Sequence, residues 1–447
     1  MRRKDTMMTE GSLLKHLLSF SIPVLLSDLF QITYNTVDAA IVGQYVGPDA
    51  LAAVGIASPV ISIALFFLIG LGLGTSVLLS RFFGAGDEES FRRETTTALE
   101  AGCVLSIVLA LAVILLAEPI LRLCNTPGTL LSQTGSYLRI VAVGLIFSGF
   151  YNMLSGVAKS VGNTRIHLVC IICASVCNAL LDWLFVACFG MGVEGAAWAT
   201  VISQALNCLL FILILWAKEP LARIDWHALA PDLGLLKKTL SFAVPSAIQQ
   251  AGVYIGKLAV QMQVNLLPDY DISAFSAVNR IDDYAIIPGR DTASGIMVAV
   301  AQNKGANQPD RMLKSLRTGL MIAVVYGICI SLIVFLLPAG LMKIFVSADQ
   351  TKVIESGARY LRLMGLFYFM PNITNALQGY MRGIGKIKLT MYVTYSQMAL
   401  RVILSALLIG SMGLDGIAVG CCGGWVLMIV WEGILIWHWK RTNRLIQ

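Results

Sequence analysis

Along the chain, polar and apolar positions follow neither the alternation of a strand nor the one-sided stripe of a surface helix. They fall into nearly uninterrupted apolar runs of about 20 residues or more, divided by short polar stretches. Each run is long enough to cross a hydrocarbon core of about 30 Å as a helix. The pattern predicts twelve spans, over 14–41, 50–78, 95–117, 132–157, 166–189, 194–217, 236–266, 273–300, 316–338, 357–380, 389–410 and 414–437. The opening MRRKD has the charge of a leader peptide. The apolar run behind it continues past Asp28 to Asp38 without a small-residue cleavage site, which predicts a retained first span. No stretch between spans is long enough for a soluble domain.

Composition supports a membrane solvent. Of 447 residues, 57% are hydrophobic and 13% charged, and the mean hydropathy is +0.76. Soluble domains carry about 25% charged residues. The expected fold class is an all-α polytopic membrane protein. With the N-terminus inside, 23 of the 33 Lys and Arg residues fall on the cytoplasmic side and six outside; Lys257, Arg280, Arg290 and Arg401 lie within spans. That asymmetry predicts cytoplasmic termini in a plasma membrane, the inner membrane of a bacterium. The net charge of +7 therefore implies anionic lipid as a partner and not nucleic acid. Ten cysteines, nearly all inside spans, form no disulfide framework, and Cys170, Cys173 and Cys177 read as packing and not as a metal site. Four histidines, His16, His167, His227 and His438, build no catalytic constellation, so an enzyme is not expected and neither is a cofactor.

The chain also repeats itself. LLKHLLSFSIP at 13–23 returns as LLKKTLSFAVP at 235–245, and GVAKSVGNTRIHL from Gly156 returns as GYMRGIGKIKLTM from Gly379. Gly84-Ala85 returns as Gly305-Ala306, and GMGVEG from Gly190 as SMGLDG from Ser411, so every offset lies between 221 and 223. Two six-span halves are implied, residues 1–217 and 235–447, joined by a cytoplasmic linker at 218–234. Six is even, so both halves cross the membrane in the same sense. Parallel repeats of this kind belong to transporters that rock one bundle against the other around a central cavity.

Several spans carry polar stripes that hydrocarbon cannot satisfy. At 100° per residue, Asp28, Gln31, Asn35 and Asp38 of the first span lie within about 80°, with Tyr34 at the edge. Asn178 and Asp182 share one face of the fifth span, and Thr200 and Gln204 one face of the sixth. Gln250, Tyr254, Lys257 and Gln261 share a face of the seventh. Amides and hydroxyls in such stripes commonly glue helices together. Acids in mid-span, Asp38 and Asp182, point instead to function. GLGLGTS from Gly70 lacks the preceding strand of a nucleotide site and reads as close helix packing. Pro23 and Pro245 occupy matching places and permit a bend in each helix.

These features together resemble the multidrug and toxic compound extrusion (MATE) transporters. The resemblance rests on SIP…YNTVDAAIVGQYVG in the first span, G-A-x-D after the second, KSVGNTR after the fourth and N-x-x-x-D in the fifth. It covers essentially the whole chain and is similar to the DinF-like branch. That branch implies a proton or cation site at Tyr34, Asp38, Asn178, Asp182 and Thr200, with Na⁺ held, if at all, by Asp38, Asn178 and Asp182. It also implies a monomeric antiporter that exports small organic, cationic or amphipathic compounds against protons or Na⁺. The polar residues Asp28, Gln31, Asn35, Gln204, Gln250, Tyr254, Lys257, Gln261 and Arg280 become candidates for the cavity wall. Asp28 stands where the family more often has an uncharged residue, and the C-terminal half is unusually cationic. The alternative within the same superfamily is a flippase for lipid-linked precursors, for which more spans and a more uniformly basic cavity are expected.

Overall fold

The computed structural model describes residues 7–223 and 232–442. The middle of the linker, with His227, lies outside the described residues, as do Arg2, Arg3, Lys4 and Arg444. Fourteen α-helices run in chain order: α1 (Leu13–Tyr45), α2 (Pro48–Ala85), α3 (Glu88–Leu123), α4 (Gly128–Ser160), α5 (Arg165–Asp182), α6 (Gly192–Lys218), α7 (Leu233–Val264), α8 (Asp269–Gly305), α9 (Pro309–Leu336), α10 (Pro338–Phe345), α11 (Thr351–Gly365), α12 (Phe369–Gly383), α13 (Ile387–Met412) and α14 (Leu414–Arg441). Among the described residues there are no strands.

Twelve spans result when α11 and α12 are taken as one and the short α10 is set aside. The tenth span differs from the unbroken helix expected at 357–380, because a turn at 366–368 separates α11 from α12. Pro371 is accommodated by the break: in the first turn of α12 its missing N–H costs no helical bond. Among the described residues nine helices are apolar enough to cross a membrane by length and composition, and α7, α8 and the α11–α12 pair carry more polar groups. Leu115, Leu213, Ile255 and Leu407 are more than half exposed, the outward apolar surface that a lipid solvent requires.

The repeat is visible in local geometry. After α2, Gly86 takes a left-handed φ of 73°, and Asp87 caps α3 by accepting from the Ser90 N–H at 3.0 Å. After α8 the matching left-handed residue is Asn307, at φ 56°. A Cβ on Gly156 would lie 2.6 Å from the Gly72 carbonyl oxygen, so α2 and α4 meet backbone to backbone. Gly379 of α12 meets the Ala293 backbone of α8 in the corresponding way. The glycines at 70–74 are thus packing residues.

Packing divides the chain into two compact units, Ile22–Ala247 and Met1–Ser21 with Ile248–Gln447. The core of the first includes Val42, Leu68, Val113, Leu138, Val186 and Ala197. That of the second includes Val260, Phe275, Val334, Tyr360, Leu414 and Trp425. The unit boundaries do not coincide with the linker that separates the sequence repeats. They fall inside α1 and α7, within two residues of Pro23 and Pro245. In the first unit, Gly70 and Gly74 of α2 lie against Ala247 and Ala243 of α7. The Thr239 hydroxyl donates to Glu94 at 2.5 Å. In the second unit the Met8 N–H donates to Gln302 at 2.8 Å, and Arg311 Nη2 donates to the Glu10 carbonyl at 2.6 Å.

Candidate functional site

In the first unit, α1 and α5 each bring one acid to the same place. Asp182 is the last residue of regular α-helix in its span; Trp183–Cys188 continues as a π-helix. Such widened turns recur at functional sites because they change side-chain direction without ending the helix. Asp182 is wholly buried, and neither carboxylate oxygen closes a hydrogen bond. One turn earlier, Asn178 is also buried with both amide atoms unpaired. Asp38 Oδ1 is buried and unpaired as well.

Asp38 and Asp182 come within hydrogen-bonding reach of each other. Ionised carboxylates are acceptors only, so their contact becomes a hydrogen bond only when one of them carries a proton. Tyr34 of α1 stands in the field of both acids, as does Tyr137 of α4. Oxygen donors of this kind, two carboxylates and a carboxamide, are also suitable for a hard cation such as Na⁺. The arrangement can therefore hold a proton or a small cation in a place otherwise closed to charge.

The other candidates are spread more widely. Thr200 of α6 is buried, and its hydroxyl donates to the Ala196 carbonyl at 3.0 Å. Asp28 and Asn207 stand near the Tyr151 phenol, and Gln204 Oε1 is buried and unpaired. Gln31 and Asn35 are exposed on α1. In the second unit Gln250 and Tyr254 are half-buried, Gln261 Nε2 donates to Asn265 at 2.8 Å, and Arg280 is exposed. For Lys257 the sequence admits either a structural ion pair, with Asp28 or Asp282, or a contact with substrate; in the structure its ammonium meets Asp283 at 3.6 Å, with both side chains about 60% exposed. Within a membrane span, charges so exposed have to meet water and not hydrocarbon.

Further polar groups come together in ways that a reading of the sequence alone does not give. Tyr137 is the nearest to the acids, but a single tyrosine in an apolar helix carries no signal. His167, two residues into α5, lies within hydrogen-bonding distance of Ser155 Oγ at 3.1 Å and Tyr151 Oη at 3.0 Å. In the second unit, Glu432 of α14 is wholly buried near Gln378 and Arg382 of α12. It was legible as a lone acid in the apolar run MIVWEGILI. Also in the second unit, Arg401 lies near Tyr360, Cys421 and Asp282, and the Tyr368 hydroxyl donates to Asp282. At offset 223, Tyr360 corresponds to Tyr137 and Arg401 to Asn178, so the second unit keeps the tyrosine and has a cation where the first has a neutral amide.

Comparison with known proteins matches the MatE family profile twice, over residues 23–184 and 245–407, the same spacing as the internal repeat. A probable multidrug resistance protein, YpnP of Bacillus subtilis, is 27% identical over 413 residues, covering 92% of each chain. Among solved structures, a MATE in complex with MaL6 superposes with a TM-score of 0.91 at 22% identity, over 97% of this chain and 98% of that one. A transporter of the MOP superfamily from Pyrococcus furiosus, described as having a binding pocket of reverse polarity, gives 0.90 at 21% identity over 98% of each chain. At such identities these structures share the fold.

Proposed function

The chain belongs to the MatE family, and from that premise we propose that it exports small organic compounds from the cell in exchange for protons or Na⁺. It is a multi-pass membrane protein. The reading places both termini in the cytoplasm, one monomer in the bilayer and the coupling ion at Asp38 and Asp182. One observation carries it: two carboxylates in contact, one of them wholly buried, with oxygens that no protein donor satisfies. An ionised pair so placed is costly, and a structural role would have supplied donors. Loading the pair with a cation removes that cost and changes how α1 and α5 pack. Neutralisation from outside therefore favours one arrangement of the helices, and release inside the other.

Tyr34, Asn178 and Thr200 extend the same site with oxygens of the required type. The exposed polar residues Gln31, Asn35, Lys257, Asp283 and Arg280, with the half-buried Gln250, supply water-facing surface for a substrate. Their mixed charge suits amphipathic or zwitterionic compounds as well as cations. YpnP is named for multidrug resistance, which supports efflux as the direction of work. Dye efflux from cells expressing the chain tests the reading. Efflux should stop when a protonophore or a Na⁺ ionophore collapses the driving gradient. Efflux that survives the loss of both gradients would exclude ion-coupled antiport.

A further inference from the structure

The second unit contains a buried acid that the reading above does not use. Glu432 lies nine residues before the end of α14, about 13 Å along the helix axis. It is wholly buried; the Gln378 amide lies within reach of its carboxyl, but neither oxygen closes a well-formed hydrogen bond. Helix α12 faces it with Gln378 and Arg382, and these two belong to a polar network that extends to α7 and α13 of the same unit. Gln249 Nε2 of α7 donates to Thr394 Oγ1 of α13 at 2.6 Å. Gln378 Nε2 of α12 donates to the same hydroxyl at 3.0 Å. Arg382 Nη2, one turn further along α12, donates at 3.1 Å to the side-chain oxygens of both Gln249 and Gln378.

The guanidinium thus spends these donors on neutral amides, while Arg382 Nε stays buried and unpaired. Arg382 is near enough to feel the charge of Glu432 but forms no ion pair with it. Arg382 is the charged group facing Glu432 from α12. From α13 the neighbouring side chains are neutral, Thr394 and Gln397, the latter set against Gly424 two turns before Glu432. An ionised carboxylate left unpaired inside the protein, with a free guanidinium N–H beside it, is a poor arrangement. Pairing or protonation would relieve it.

We infer that Glu432 is a second proton-binding site, protonated in the conformation described and ionised when it closes onto Arg382. The step is a simple acid dissociation: the O–H bond breaks, its electron pair stays on the carboxylate, and water takes the proton. Arg382 then replaces its bonds to Gln249 and Gln378 with a bond to Glu432. That exchange would release Gln249, which stands one residue beyond the unit boundary in α7. A proton is favoured over Na⁺ here because a second full cation would sit beside the fixed charge of Arg382.

Infrared difference spectroscopy of the purified full-length protein in lipid nanodiscs tests the proposal through the C=O stretch of protonated carboxyl groups. E432Q should remove one component of the acid band that D38N/D182N leaves intact. The wild-type component should vanish as pH is raised, and R382Q should retain it where the wild type has lost it. A spectrum unchanged by E432Q would overturn the inference, since Glu432 would then be ionised throughout. If E432Q does not accumulate, R382Q decides: an acid band gained in that variant and absent from the wild type at every pH marks a permanent ion pair. The D38N/D182N arm reports on the carboxylate pair of the first unit, so the two sites fail separately.

Discussion

Replacing Asp182 with asparagine should abolish uphill transport while leaving the protein folded. Asparagine has nearly the same volume, and the site it enters already holds Asn178 without a partner, so no satisfied bond is broken. What is lost is the ability to cycle a proton. Because the carboxylates of Asp38 and Asp182 touch, a single proton shared between them is enough to remove their repulsion. One pH unit across the membrane is worth about 1.4 kcal/mol per proton, or about tenfold in limiting accumulation. Reconstituted in liposomes with the membrane potential clamped, the wild type should concentrate a neutral substrate about 100-fold at two pH units, from about 2.7 kcal/mol. D182N and D38N should each fall to no accumulation, with downhill exchange retained. The same arithmetic holds for Na⁺ at a tenfold concentration ratio per step. Undiminished accumulation in both single variants would remove the pair from the mechanism.

Other outcomes follow from features elsewhere in the chain. In a cysteine-free background, a cysteine at Asp49 or Asp415 should react with an impermeant maleimide from outside and one at Glu89 or Gln308 should not; the reverse pattern contradicts the orientation. Lys257→Gln should leave abundance unchanged, because an exposed pair at 3.6 Å contributes at most about 1 kcal/mol. It should shift the substrate ranking toward cations, and a changed pH profile with unchanged ranking would place Lys257 on the proton route instead. The Ser90 hydroxyl and N–H hold the Asp87 carboxyl below its ordinary range. The cap therefore stabilises the protein at neutral pH and is lost as pH falls through the folded carboxyl's titration, below that of the unfolded chain. Asp87→Ala should cost about 1 kcal/mol in thermal unfolding at pH 7, and an equal loss at strongly acidic pH would refute the capping argument.

The helices and the two acids were legible because charge is so scarce in this chain that each exception stands out. Asp38 and Asp182 interrupt apolar runs, and helical periodicity alone puts each on a polar face. Their contact is another matter, since it depends on how α1 meets α5. Periodicity puts Asp282 and Asp283 on different faces of α8 but does not say which face meets α7, so the pairing of Lys257 with Asp283 was not legible. The π-turn after Asp182 has no glycine or proline to announce it. Glu432 is a lone acid in an apolar run, but the repeat gives it no counterpart: at offset 221 it matches Phe211, where the first half has no acid.

The placement of α1 and α7 has a consequence for the origin of the molecule. Residues 13–21 open the first repeat yet pack in the unit built mainly from the second; residues 235–247 open the second repeat yet pack in the unit built from the first. If each repeat is read as a once-independent six-helix protein, this is the topology of a domain-swapped dimer, in which each copy lends its leading half-helix to its partner. On that reading the linker joins the two copies into one chain. A protease cut within the linker would therefore free no independent half: each fragment would still hold a structural element of the other, and the two would stay interlocked.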